Sequence, residues 1–320
     1  MRLDPRIAAL RGDDAPQRDA QQALGQAQAR WSEAPQTQAI MADLARFADP
    51  DVALEDCAAL SALFDGHGAR GWVDDLVSAL VAGLRAAPLG HVPLRHFTNG
   101  LTSSLLLGRA GETTLALVAT DGSALAKAKR PASANFAPLE SHEIVLSGCA
   151  EAELVGCDDT GAPHVALRQS RLALREGSRI SREGARRALH LLTVEGCLVV
   201  LRLQRRPRHG GVAYEYDLAS GRLIHRAAGV MRESRHALMV NLLGRMGRAD
   251  AAPVLASIAQ EDCAADLRWQ ALREGLGLDT AGGFAALARV AAQVDDPLAP
   301  PAAALKAQLL ASYPALEELA

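Results

Sequence analysis

Glu143-Ile-Val-Leu-Ser-Gly-Cys-Ala-Glu-Ala-Glu-Leu-Val-Gly156 is the stretch on which the reading of this 320-residue chain turns. Ile144, Val145 and Leu146 make a short apolar run, Gly148 offers a turn, and a second run closes on Leu154 and Val155. The spacing predicts strands over 143–147 and 151–155, joined at Gly148, because glycine tolerates the positive φ of a tight turn. The same pattern returns as strands over 188–194 and 198–204 around Gly196. Further short runs at 103–108, 113–120, 164–174, 213–217 and 222–226 are separated by Gly, Pro and Asp clusters, with Gly156, Gly177 and Gly221 at turn positions. About nine strands at this spacing predict an antiparallel sandwich or barrel rather than βαβ units.

Outward from this region the period becomes helical. Upstream, helices are expected over 17–29, 37–48, 51–64 and 72–86. Ile40, Leu44 and Phe47 form one stripe, and Trp72, Leu76, Leu80 and Leu84 another. Downstream, Leu238, Leu242, Leu243 and Met246 restore the helical spacing. Leu255-Ala-Ser-Ile-Ala followed by Glu261-Asp262 recurs as Leu287-Ala-Arg-Val-Ala followed by Asp295-Asp296. Helical pairs at an offset of about 33 residues are similar to HEAT-type repeats. The expected architecture is α+β in three parts: a helical region over 1–90, an antiparallel β domain over 91–230, and a repeat-like helical region over 231–320.

A content of 49% hydrophobic and 22% charged residues describes a folded protein and excludes a disordered or collagen-like one. The net charge of −3 gives no global reason to expect nucleic acid. No run reaches the ~18 apolar residues of a spanning helix, and the stretch 1–16 is charged and lacks the apolar core of a signal peptide. Five scattered cysteines form no CxxC pair and no disulfide framework. A cytoplasmic protein with free, mostly buried thiols is expected, without contact to a membrane.

The stretch 143–156, with His190-Leu-Leu-Thr-Val-Glu-Gly-Cys-Leu-Val-Val-Leu-Arg-Leu203, Pro207, Tyr216-Asp217 and Gly221, resembles the two halves of a cupin domain. Its layout is nearest to the cysteine-dioxygenase-type thiol oxygenases. The resemblance implies a mononuclear iron site held by His-x-His and a later histidine. The place for His-x-His falls at Ala134-Asn135-Phe136, and the family's Ser–His–Tyr set falls at Val200, Arg202 and Gln204, so the family's ligands are absent. His91 and His96 are five residues apart and face opposite sides of a strand.

Two functional readings remain open. His142, His190 and His225 lie on different candidate strands and Glu143 adjoins the first. A rebuilt site drawn from these four residues would bind iron or zinc and support a metal-dependent cupin-type oxidoreductase or dioxygenase. Adjacent strand residues point to opposite faces, so only one of His142 and Glu143 can join His190 and His225. The leading reading is a non-catalytic binding or accessory protein without a cofactor. It would engage a small anionic ligand or a protein through its β cavity and helical surface. Residues 168–235 hold 15 Arg against 6 acidic residues. Arg186, Arg187, Arg202, Arg205, Arg206 and Arg208 are the candidate anion- or partner-binding residues, since guanidinium forks match carboxylate geometry. Nucleic acid is not expected, because few aromatics interleave these arginines. The competing structural role for them is docking onto the acidic helical segments around Asp49, Asp51, Glu55, Asp56, Asp74 and Asp75.

Overall fold

The computed structural model describes residues 12–66, 68–207, 211–228 and 231–319; Arg208 lies outside these. The chain is α+β with antiparallel sheets. It divides into two compact units, one within 1–206 and 216–223, the other within 207–215 and 224–320.

The first unit begins with helices α1 (Ala15–Glu33) and α2 (Pro35–Phe47), a 3₁₀ turn (Leu54–Asp56), the short α3 (Ala58–Ser61) and α4 (Gly68–Ala86). Proline in the first turn of α1 and of α2 costs no hydrogen bond and presets φ. The expected helix over 51–64 is broken into two short pieces. The Asp43 carboxylate accepts the backbone N–H groups of Ala59 (2.7 Å) and Leu60 (3.3 Å), which fixes the start of α3. Trp31 and Trp72 stack with centroids 4.9 Å apart, and the Trp72 indole N–H donates to Thr37 at 2.9 Å.

Seven strands form one sheet. These are β1 (His96–Thr98), β2 (Thr102–Ala110), β3 (Thr113–Asp121), β5 (Glu140–Cys157), β6 (Leu167–Leu174), β7 (Arg179–Glu183) and β8 (Arg187–Arg205), with a short helix α5 (Gly122–Lys127) after β3. The order is β1-β2-β3-β8-β5-β6, with β7 also paired to β5. The edges β1 and β6 do not pair, so the sheet is open and not a closed barrel. Strands β4 (Ser133–Phe136), β9 (Val212–Asp217) and β10 (Leu223–Ala228) form a second sheet in the order β10-β9-β4.

The two expected hairpins at Gly148 and Gly196 are absent. Each glycine lies inside one long strand, β5 of 18 residues and β8 of 19, which pair with each other along nearly their whole length. Glu140–Ile144 lies between β7 and the end of β8, whereas Ala150–Cys157 lies between β6 and the start of β8. The register shifts around Ser147 mark a bulge, which lets one strand pair serve two differently oriented halves of the sheet. Gly148 takes φ +92°, and a Cβ there would stand 2.2 Å from the Cys197 carbonyl oxygen. Cys149 and Cys197 at this bend are exposed, contrary to the expectation for the thiols, while Cys57 and Cys157 are buried.

Period-two alternation gives the sheet two different faces. One carries Leu107, Leu115, Ile144, Leu146, Leu201 and Leu203 into a core shared with Leu24, Ile40, Leu44, Phe47 and Leu76 of the helices. The other carries Val145, Ile180, Leu198 and Val200 in a smaller cluster.

In the second unit, α6 (Met231–Arg245), α7 (Ala252–Ile258), α8 (Ala265–Leu278), α9 (Thr280–Ala291) and α10 (Ala299–Ser312) surround Leu255, Leu272, Phe284, Leu287 and Val290. The two copies of the sequence repeat fall on α7 and α9, helices of 7 and 12 residues. Units so unequal do not establish a HEAT-like repeat.

Candidate anion-binding site

The face of the sheet turned away from the helices carries a polar stripe. Glu143 on β5 stands directly opposite Arg202 on β8, and Ser141 stands opposite both Gln204 on β8 and Arg182 on β7. Glu143 is 3% exposed. Its Oε1 accepts a hydrogen bond from Arg182 Nη2 at 3.1 Å and one from the Ser141 hydroxyl at 3.1 Å, and it forms an ion pair with Arg202 Nε at 3.1 Å. Burial pushes this carboxyl group up, but Arg202 and Arg182 outweigh burial and hold it below its ordinary value. One buried carboxylate therefore faces two guanidiniums, and the Nε atoms of both arginines lack a hydrogen-bond partner.

Arg202 is the less buried of the pair, with a side-chain exposure of 32% against 14% for Arg182. It extends the stripe into an open pocket of about 290 Å³, lined with Gln204, Thr114, Ser104, Arg95 and Phe97 among others. The register explains this assembly. Ala116 pairs with Arg202, Thr114 with Gln204, and Leu106 with Ala116, so side chains from β2, β3 and β8 share one face. Phe97 is 63% exposed at the pocket's edge, an apolar ring held beside cationic groups.

Among the described residues, those expected to share a metal do not come together as a ligand group of three. His142 faces the helices, opposite to Glu143, as neighbours on a strand must. Its Nε2 lies 2.7 Å from Glu140 Oε1, its Nδ1 lies 3.0 Å from the Ser181 hydroxyl, and Phe47 and Phe64 flank the ring. His190 stands across from Glu153 in the register. Burial pushes its pKa down, and Arg182 adds to this against the opposing pull of Glu153. His225 is exposed on β10. Among the described residues no group of three or more His, Cys, Asp or Glu could hold a metal ion.

The candidate arginines also separate by role. Arg205 Nη1 donates to the carbonyls of Phe47 (3.0 Å), Asp49 (2.7 Å) and Val52 (2.7 Å), its Nε donates to Glu140 at 2.9 Å, and it lies over the Phe47 ring. This caps the carboxyl end of α2, where the helix dipole favours a cation. Hydrogen bonding from His142, with that of Arg205, outweighs burial and lowers the pKa of Glu140. Arg186 makes an exposed pair with Glu183 at 3.8 Å, while Arg187 and Arg206 are exposed. Of the described candidates only Arg202 lines the pocket. Sequence reasoning missed Arg95, Ser141, Arg182 and Gln204. Three of these become visible once β5 is paired with β7 and β8, and single-strand patterns do not reveal that pairing.

No family model and no curated protein matches the sequence. Solved structures match part of it. A conserved protein of unknown function from Pseudomonas aeruginosa is 19% identical, over 38% of this chain and 56% of that one, with a TM-score of 0.25. HutD from Pseudomonas fluorescens is 13% identical over 38% and 60%, with a TM-score of 0.27. Hydroxypropylphosphonic acid epoxidase from S. wedmorenis is 15% identical over 35% and 55%, with a TM-score of 0.25. The chain thus spans little more than half the length of each. The α+β architecture rests on the strand pairing itself. Among the described residues no helix is long and apolar enough to cross a membrane.

Proposed function

We propose that this chain is a non-catalytic binding protein, cupin-like in its β region, that holds a small organic monoanion against Arg202. The observation that carries this reading is the charge imbalance around Glu143: two guanidiniums share one buried carboxylate, and one of them lines an open pocket. Arg95 adds a second cation at that pocket, while Gln204, Thr114 and Ser104 offer hydrogen-bonding groups. A carboxylate on Arg202 would gain charge-assisted hydrogen bonds, and an apolar body of the ligand would cover Phe97, Leu106 and Val118. The Glu143 ion pair positions Arg202 in advance, so little side-chain entropy is lost on binding. Benzoate and its neutral isostere benzamide provide the test. Benzoate raises the midpoint of thermal unfolding in a concentration-dependent way and benzamide does not. Equal shifts with the two compounds, or none with either, would remove the basis for the proposal.

A further inference from the structure

The second unit contains a cavity that the anion site does not involve. It is an open pocket of about 940 Å³ lined by residues of α8, the start of α9, α10 and the segment that follows α10. The helical period builds it. Trp269, Arg273 and Leu276 lie at i, i+4 and i+7 on α8, and Leu305 and Leu309 lie at i and i+4 on α10. Tyr313 continues the second row, and a 3₁₀ segment (Pro314–Leu319) supplies Ala315 and Leu316. These leucines and Trp269 border the core around Leu272 and Phe284 without being enclosed by it. Among the described residues Arg273 is the only charged member of the lining, is exposed, and has no ion-pair partner.

We infer that this cavity binds a single-chain amphiphile with an anionic head, its acyl chain between α8 and α10 and its carboxylate on Arg273. The volume lies within the range of sites that enclose drug-sized ligands. Burial of each methylene is worth about 0.8 kcal/mol, so a chain of about a dozen carbons has ample driving force. One cation at a wall that is apolar apart from Thr280 and Tyr313 selects an anionic head over a neutral or cationic one. The cavity is too apolar for a nucleotide or a sugar, whose hydroxyl and phosphate groups would lose water without replacement.

Dodecanoate below its micelle concentration is the probe, titrated calorimetrically against dodecanol and dodecyltrimethylammonium on the full chain. Dodecanoate binds saturably and more tightly than either analogue. Arg273→Gln weakens dodecanoate at least tenfold and leaves dodecanol within about twofold, as expected for loss of one charge-assisted contact. A chain-brominated dodecanoate quenches Trp269, the half-buried indole of the cavity, whereas Trp31 and Trp72 are buried in the other unit. Trp269→Phe therefore abolishes the quenching while binding persists. Arg95→Gln, at the anion site, leaves the quenching titration at Trp269 unchanged, which separates the two proposals. Absence of saturable binding, unchanged affinity in Arg273→Gln, or quenching that survives Trp269→Phe would overturn the inference.

Discussion

Glu143 and Arg202 are direct cross-strand partners, with Oε1 and Nε 3.1 Å apart on a face where the carboxylate is almost fully buried. Neutralising this carboxylate leaves two guanidiniums facing each other. Glu143→Gln should cost about 3–5 kcal/mol of stability at neutral pH, the usual penalty for orphaning a buried charge. The folded-state pKa of Glu143 lies below its ordinary value, so this stabilisation is fully present above the unfolded value near 4.3 and is lost as pH falls through the folded one. Urea unfolding of wild type and variant checks this. The gap between them should narrow below about pH 4, and a gap constant from pH 7 to pH 3 would contradict the assignment.

Arg205 serves the fold and not the ligand. It satisfies the Phe47 carbonyl at the end of α2, those of Asp49 and Val52 in the segment that follows, and the Glu140 carboxylate. A lysine supplies one charge but cannot reproduce the planar fork. Arg205→Ala should cost about 3 kcal/mol, and Arg205→Lys should recover less than half of that in denaturant unfolding. Full recovery by lysine would show that charge alone matters there.

The two bend glycines should respond unequally. Gly196 takes φ +65° with nothing within 4 Å of a would-be Cβ, so Gly196→Ala should cost about 1–2 kcal/mol from backbone strain alone. At Gly148 an added Cβ also meets the Cys197 carbonyl at 2.2 Å. Gly148→Ala should therefore be the more damaging by at least another ~1 kcal/mol. Equal thermal midpoints for the two variants would mean that the close approach of β5 and β8 is not as described.

The α+β class and most strands were legible because period-two runs and glycine breaks are local signals. Residues 113–120 and 213–217 fall entirely within β3 and β9. The hairpins expected at Gly148 and Gly196 were not found, because a turn and a bulge use the same glycine conformation. Only the pairing of Ser147 with Val199 and Cys149 with Glu195 tells them apart. Strand β7 carried no apolar run to announce it. Without it Arg182 has no place beside Glu143, and the charge cluster stays hidden. Arg202 was singled out for its guanidinium, and its position in the pocket follows from its register with Ala116. Arg205 was singled out for the same reason, yet its parity turns it toward α2.

Binding of a small anion at Arg202 is the central claim, and calorimetric titration of benzoate tests it most directly. The wild type should bind saturably. Arg95→Gln, which alters an exposed side chain and leaves the Glu143 cluster intact, should weaken binding by roughly tenfold, the effect of one charged hydrogen bond. Arg202→Gln should abolish binding, with native circular dichroism showing that the fold is retained. Benzoate affinity unchanged in both variants, or no saturable heat from the wild type, would contradict the account.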